Sequence, residues 1–121
     1  MPTEADRLLI ESALAYAGGT HTVDDVLAMI AEGRCQLWRG PNAAVVTEID
    51  EYPREKVLHF FLAAGDMKEL EAMQDGIMAW GIERGCTKAR FVGRRGWQRT
   101  FMARTGWRDT RYIIMEKSLN G

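Results

Sequence analysis

Residues 57–93 read VLHFFLAAGDMKELEAMQDGIMAWGIERGCTKARFVG, and this stretch decides the fold. Residues 57–64 form a continuous apolar run that is broken only by His59. A run without alternation favours a strand that is covered on both faces. Gly65 ends this run, and residues 89–92 form a second, shorter strand after one intervening helix. The pattern predicts a β-α-β unit with two parallel strands and a right-handed crossover.

The helix between these strands carries a start signal, a buried stripe and a stop signal. Asp66 can cap the helix, and Glu69 stands three residues later, where a capping box has its partner. Gly85 stands where a helix-terminating glycine is expected. Apolar residues recur at helical spacing and predict the buried stripe: Leu70, Met73, Ile77 and Trp80.

Two short helices are predicted before this unit. Thr3 with Asp6 is a helix-start signal, and Thr22 starts a second helix whose first turn holds Asp24 and Asp25. The first helix has the apolar stripe Leu8, Leu9, Ala13, Leu14 and Ala17, and the second has the stripe Val26, Leu27 and Ile30. Gly18-Gly19 and Gly33 end the two helices.

A hairpin and a final helix and strand complete the predicted order. Residues 35–39 and 43–50 are strands joined by the turn sequence Gly-Pro-Asn. Trp97 and Phe101 have helical spacing, and Gly106 marks the end of that helix. Residues 112–115 are the last strand. The fold class is α/β (α+β), a single domain over residues 1–121 with a mixed sheet and the order α-α-β-β-β-α-β-α-β.

Composition sets limits on the class of protein. The apolar and charged fractions are ordinary, no apolar run is long enough to cross a membrane, and no secretory signal is visible. Cys35 and Cys86 have no metal-ligand spacing, so they are interpreted as buried free thiols in a reducing compartment, and no metal site is expected. Charge is uneven: residues 1–84 carry 15 of the 17 acidic side chains, and residues 85–121 carry 9 of the 16 basic ones.

The order of elements resembles the GNAT superfamily of N-acetyltransferases over nearly the whole chain. Residues 101–107, FMARTGW, are similar to the helix end "Y-E-K-x-G-F" of that superfamily. Residues 80–97, WGIERGCTKARFVGRRGW, resemble small GNAT-like proteins of tailed bacteriophages and prophages. This second resemblance implies a phage particle or the cytoplasm of a bacterial host as the location, and other virion or assembly proteins as partners.

The superfamily resemblance implies that acetyl-CoA binds where two parallel strands splay apart. Its pyrophosphate is expected on backbone amides at the start of the long helix, in a loop with the pattern Q/R-x-x-G-x-G/A. Of this pattern only Gly65 remains, and Asp66 adds a negative charge, which Lys68 partly offsets. The corresponding cofactor-binding residues are Ala63, Ala64, Gly65, Asp66, Met67 and Lys68. Alternatively, Asp66 is only a helix cap.

The acetyl transfer needs a base for the amine and often an acid for the departing thiolate. Glu48 and Asp50 lie near the end of a strand, where a base could sit, and many strand-end carboxylates are merely solvated. In many relatives a tyrosine is the acid, at the position that Met102 occupies here, so Tyr112 is the substitute candidate unless it only packs in the last strand. His59 is interpreted as a half-buried histidine with a hydrogen-bond partner.

The basic end of the chain is the candidate contact surface. Trp97 stands among Arg94, Arg95 and Arg99, and Arg95 takes the place of an asparagine of the superfamily. Such a loop could stack on a nucleic-acid base or on adenine, or it could anchor a protein partner. Alternatively, these arginines pair with the acidic part of the same chain.

Two classes of function follow from these residues. The departures at the glycine loop, Met102 and Arg95 favour a GNAT-fold protein that has lost catalysis, needs no cofactor and serves as a binding or structural component. The alternative is an active N-acetyltransferase that uses acetyl-CoA. Nucleic-acid binding through the basic end is a weaker third hypothesis, and oligomerisation is compatible with all three.

Overall fold

The structure is a computed structural model, and it describes residues 2–120. Its helices and strands in chain order are α1 (Glu4–Leu14), α2 (Val23–Ala31), β1 (Gln36–Arg39), β2 (Ala43–Glu51), β3 (Lys56–Gly65), α3 (Met67–Glu83) and β4 (Cys86–Phe91). Two short 3₁₀ helices follow, Arg95–Arg99 and Phe101–Arg104. Within residues 2–120, no helix is long and apolar enough to cross a membrane.

The four strands form one mixed sheet in the order β1-β2-β3-β4. β1, β2 and β3 are antiparallel neighbours, and β3 is parallel to β4. The predictions for β3 are therefore confirmed: it has a neighbour on each side and runs parallel to the strand that follows the long helix. β4 begins at Cys86, three residues earlier than the sequence pattern predicts, because Lys56 already pairs with Cys86 across the ladder.

Helices cover both faces of the sheet, and each interface has its own core. Leu58 and Phe60 of β3 pack with Leu70 and Ile77 of α3 in one core. In the other core, Leu62 of β3 packs with residues from the N-terminal helices and the first hairpin: Ile10, Val26, Cys35 and Val46. This double coverage explains why the run in β3 does not alternate between apolar and polar residues.

The N-terminal helices begin as predicted, and the buried stripe of α1 is confirmed in part. Thr3 and Thr22 both form complete capping boxes with the aspartates three residues later. Of the predicted stripe, Ala13, Leu14 and Ala17 pack against the core around Ile10. Leu8 is wrong, since it is 58% exposed on the solvent side of α1.

The long helix α3 has the predicted ends and a modified buried face. The Asp66 carboxylate caps the helix, and Gly85 has the left-handed φ of +89° expected after a helix end. Leu70 and Ile77 are buried, but Met73 and Trp80 are only partly buried at the margin of the core. They lie at the margin because the buried Gln74 holds the position between Leu70 and Ile77.

The chain after β4 departs most from the predicted fold. The single helix predicted around Trp97 and Phe101 is instead two 3₁₀ helices, because Thr100 adopts an extended backbone between them and caps Met102 with its side chain. Gly106 has the predicted left-handed φ, +92°, and Trp107 packs on the core. The predicted last strand at residues 112–115 is wrong: these residues are exposed and pair with no strand among residues 2–120.

Candidate active site

A cleft opens where β3 and β4 separate. The parallel pairing ends at Phe60 with Phe91, but β3 continues to Gly65. Beyond that point the cleft has a volume of about 220 Å³. Its walls come from the end of α1, from the unpaired end of β3 and from the loop after β4; they include Ser12, Tyr16, Phe61, Ala63, Ala64, Gly65, Met67, Val92, Arg94 and Trp97. The shape agrees with the splayed strands that the sequence predicts.

The wall after β4 is built from packed aromatic residues. The rings of Phe91 and Trp97 meet edge to face at 5.0 Å, and the Arg94 guanidinium stacks 3.6 Å from the centre of the Tyr16 ring. At Gly93 a Cβ atom would collide with the Phe91 ring, so only glycine fits between these rings. Trp97 is therefore a half-buried part of the cleft wall and not a free stacking platform.

The N-terminus of α3 borders the cleft, and two of its amides are already bonded to a carboxylate. The Asp66 carboxylate accepts hydrogen bonds from the backbone N–H groups of Lys68 and Glu69, at 2.9 and 3.1 Å. The Glu69 carboxylate does not form the predicted capping box, since it accepts instead from the backbone N–H of Asn42, at 2.8 Å. Two carboxylates therefore stand where a phosphate-binding loop would present free amides.

Gly65 holds this loop against the hairpin turn. Its φ is +112°, and a Cβ atom there would collide with the backbone of Asn42 and Ala43. The Asp66 N–H donates to the Asn42 carbonyl oxygen at 2.9 Å. The six residues predicted to bind the cofactor lie at one end of the cleft. The cleft is lined by four of them, Ala63, Ala64, Gly65 and Met67, whereas Asp66 and Lys68 are exposed beside it.

A second polar group lies on the strands β2 and β3. Glu48 and Asp50 are two apart on β2, so they point to the same face, and Glu48 pairs directly with His59 of β3. His59 Nδ1 lies 3.0 Å from Glu48 Oε1 and 3.8 Å from Asp50 Oδ2. We call these three half-buried residues the carboxylate–histidine cluster. Their ligand atoms lie within 4.8 Å of one another, a spacing that suits proton sharing or a bound divalent cation.

Burial and the Glu48 charge raise the pKa of Asp50 in the cluster and of Cys35 beside it. Burial, and then the neighbouring Glu48 charge, raise the pKa of Asp50 above its ordinary value of 3.8. Burial and the same carboxylate raise the pKa of the Cys35 thiol to about 11, and the Cys35 S–H donates to Glu48 Oε2 at 3.8 Å. Cys35 is therefore a neutral donor that faces Glu48 from the side of α2.

The cluster is connected to the cleft by one aromatic ring. The His59 ring lies 6.0 Å from the Phe61 ring, which is part of the cleft wall. The His21 ring meets the same phenylalanine edge to face at 5.0 Å. The Phe61 ring therefore stands between these proton acceptors and the cleft, and a base acts only within hydrogen-bond reach of the proton that it takes.

The remaining predicted residues lie elsewhere. Tyr112 is 89% exposed in the C-terminal segment, so it does not pack against the cluster. Met102 is half-buried and packs against the core with Trp107. Arg95 and Arg99 are exposed at the ends of a 3₁₀ helix, where residues three apart are aligned, so these two do not share a face as they would in an α-helix.

The basic end is partly paired with the acidic part of the chain. Lys88 contacts Glu55 at 2.9 Å, and Arg104 contacts Glu71 at 2.8 Å. Sequence reasoning missed Tyr16 and His21 as neighbours of the cleft. The antiparallel register of β2 and β3 could have signalled the pairing of Glu48 with His59, since the short connection between the strands limits the possible registers.

Comparison with known proteins supports the fold. No protein-family model and no curated protein matches the chain. The solved structures that match include a mutant of the Thermus thermophilus protein TTHA1254, with a TM-score of 0.66 and 11% identity over 98% of this chain and 95% of that one. An acetyltransferase from Trypanosoma brucei matches with a TM-score of 0.65 and 10% identity, over 97% and 93% of the two chains. At this identity the likeness shows the fold alone, which is GNAT-like.

Proposed function

We propose that this chain is a GNAT-fold binding protein that has lost acetyl-CoA-dependent catalysis. The observation that carries the proposal is the Asp66 carboxylate, which occupies the amides of Lys68 and Glu69. In the superfamily those amides hold the pyrophosphate of acetyl-CoA. A pyrophosphate would have to displace one carboxylate while lying close to a second, that of Glu69.

The energetics of that displacement are unfavourable. The cap already satisfies the amides, so the incoming phosphate gains no unpaired donors. The positive end of the helix dipole is partly neutralised by Asp66, and two nearby negative charges repel the phosphate. Lys68 is exposed, and a solvated lysine offsets such repulsion only weakly.

The position of the general acid supports the same proposal. Met102 stands where many superfamily members have a tyrosine, and a thioether has no proton to donate. Its partly buried side chain packs beside Phe101 and Trp107 in the core. The position therefore contributes packing and no proton transfer.

The partner class follows from the sequence resemblance. We place the chain in a tailed phage particle or in its assembly, where it contacts other virion proteins. The support for this setting is the similarity of residues 80–97 to small phage and prophage proteins. The exposed basic residues Arg95 and Arg99 supply charge for such a contact, or for nucleic acid as a second kind of partner.

Calorimetry with acetyl-CoA tests the loss of the cofactor. We expect no binding heat for the wild-type protein at micromolar acetyl-CoA. The Asp66→Ser variant keeps an oxygen for the cap and removes the charge, so it should gain measurable affinity. Glu83→Gln removes one charge at the opposite end of α3 and is the matched control, without effect. Micromolar affinity of the wild-type protein contradicts the proposal.

A second candidate is an active N-acetyltransferase, and the carboxylate–histidine cluster is the observation that favours it. Three groups able to accept a proton lie one aromatic ring from the cleft. A general base acts only within hydrogen-bond reach of the proton, so this function requires the Phe61 ring to move aside for the amine. Glu48 or Asp50 then takes the proton of the amine, with His59 as the group that shares it.

Release of free CoA distinguishes the two candidates. The purified protein is incubated with acetyl-CoA and a mixture of small primary amines, and the thiol that appears is titrated. The binding-protein proposal predicts no release above the buffer rate. If thiol is released, Glu48→Gln should reduce the rate by about 10²-fold or more, the usual contribution of a general base. The exposed control Glu32→Gln should leave it unchanged.

A further inference from the structure

The end of the chain exposes a cluster of large apolar side chains. Tyr112, Ile113, Ile114 and Met115 are consecutive and 68–89% exposed, and Leu119 is also exposed. We call residues 112–119 the C-terminal arm. Soluble monomers seldom expose a contiguous apolar patch of this kind unless it binds something. Tyrosine and isoleucine also favour strands, so the arm has the composition of a strand without a neighbour.

The arm leaves the domain from a fixed point. Trp107 packs edge to face on Phe60 and donates its indole N–H to Gln74 at 3.0 Å. Asp109 accepts from the Gln98 amide at 3.0 Å and from the backbone N–H of Arg111 at 2.7 Å. Arg111 itself has a left-handed φ of +66°. The chain is therefore tied to the domain as far as Asp109, and the apolar side chains of the arm are exposed beyond that point.

The same chain has an unpaired strand edge of matching size. β4 is the last strand in the sheet order, so only its β3 side is hydrogen-bonded within residues 2–120. Its six residues are fewer than those of the arm. Val92, immediately after β4, is another exposed apolar residue. An open edge of this kind is a template for an added strand.

We infer that the arm adds as a fifth strand to the β4 edge of a second copy of this chain. The occupant is a second copy because one chain carries both complementary parts, and in the single chain they do not pair. A two-fold arrangement satisfies both arms and both edges at once, so the assembly closes as a dimer instead of growing. The inference uses none of the contacts at the cofactor loop, so it holds for either candidate function.

The test compares arm and control variants by analytical ultracentrifugation and amide hydrogen exchange. Wild-type protein should sediment as a dimer at tens of micromolar and dissociate on dilution. The double variant Ile113→Asp/Ile114→Asp should stay monomeric at the same concentration, with an unchanged circular dichroism spectrum. Leu8→Asp places one such charge at an exposed apolar site of α1 and should stay dimeric.

Hydrogen exchange then shows which strand edge the arm binds. In the dimer the amides of β4 should exchange at least about tenfold more slowly than in the double variant, because edge amides become paired. A wild-type protein that is monomeric at every concentration overturns the inference. So does a dimer that survives the double substitution, and so does a dimer that depends on the arm without added protection in β4.

Discussion

Two apolar runs in this chain have similar composition and opposite environments. In β3, Val57, Leu58 and Phe60 are buried, whereas residues 112–115 are 68–89% exposed. β3 has hydrogen-bonded neighbours on both sides and helices on both faces, and the arm has neither. The difference shows that strand propensity produces a strand only where a ladder and a core are available.

Truncation of one leucine or isoleucine in each run should give the largest contrast in stability. Leu58 is 2% exposed and packs beneath α3, so Leu58→Ala should lower the free energy of unfolding by about 2–5 kcal/mol. Ile114→Ala should change it by less than about 0.5 kcal/mol in dilute, monomeric protein. Urea unfolding followed by circular dichroism measures both. Equal losses would mean that the arm is docked on its own domain.

The glycines next to the two runs should differ in how much stability their replacement by alanine costs, because only one of them lies against neighbouring atoms. Gly65 ends β3 with a left-handed φ and lies against the Asn42 backbone, so Gly65→Ala combines conformational strain of about 1–3 kcal/mol with a collision. Gly106 precedes the arm with a similar φ, but a Cβ atom there meets no described atom within 4 Å. Gly106→Ala should therefore cost only the strain, about 1 kcal/mol. Thermal melts of both variants check the order, and a costlier Gly106→Ala would contradict it.

The contrast between the runs also explains what the sequence could predict. The residues from β3 to β4 carry local signals that agree with their packing: an apolar run, an Asp cap and a glycine stop. These signals correctly predict the β-α-β unit and its parallel strands, whereas the splay at which the cleft lies was expected from the superfamily resemblance. The predicted strand at residues 112–115 fails because the same kind of local signal has no ladder in the single chain.

The candidate site was predictable to a similar extent. The positions of Glu48 and Asp50 on one strand follow from alternation, and the loss of the glycine loop is visible in the sequence. The contact of Glu48 with His59 lies four pairs from the short connection between β2 and β3, before the register shift between Val46 and Thr47, so the connection length could have indicated it. The stacking of Arg94 on Tyr16 joins residues far apart in the chain, so no local pattern indicates it.

Asp50 of β2 lies beside His59, the polar interruption of the β3 run, and gives a pH-dependent prediction. Burial and Glu48 raise the folded-state pKa of Asp50, so the folded protein binds more protons than the unfolded chain between pH 3.8 and that raised value. Stability contributed by this group therefore falls as pH rises through the window. Asp50→Asn should raise the melting temperature at pH 7, and the gain should shrink toward pH 4. The exposed control Asp24→Asn should not show this trend, and a gain for Asp50→Asn that grows on acidification would exclude the burial effect.

A small change in stability is expected from the basic loop between β4 and the arm. Arg95 and Arg99 are exposed, and Arg94 stacks on the exposed ring of Tyr16, a contact worth about 0.5–1 kcal/mol. Replacing all three arginines by glutamine should therefore lower the free energy of unfolding in urea by about 1 kcal/mol.

If this loop is a contact surface, the same variant should lose binding to a duplex DNA probe, and wild-type binding should weaken steeply with salt. The control variant, with Arg34, Arg54 and Lys68 replaced by glutamine, has the same change in net charge and should keep that binding. A drop in stability of several kcal/mol with DNA binding retained would instead assign the arginines to holding the fold together through ion pairs with the acidic part of the chain, as Lys88 and Arg104 pair with Glu55 and Glu71.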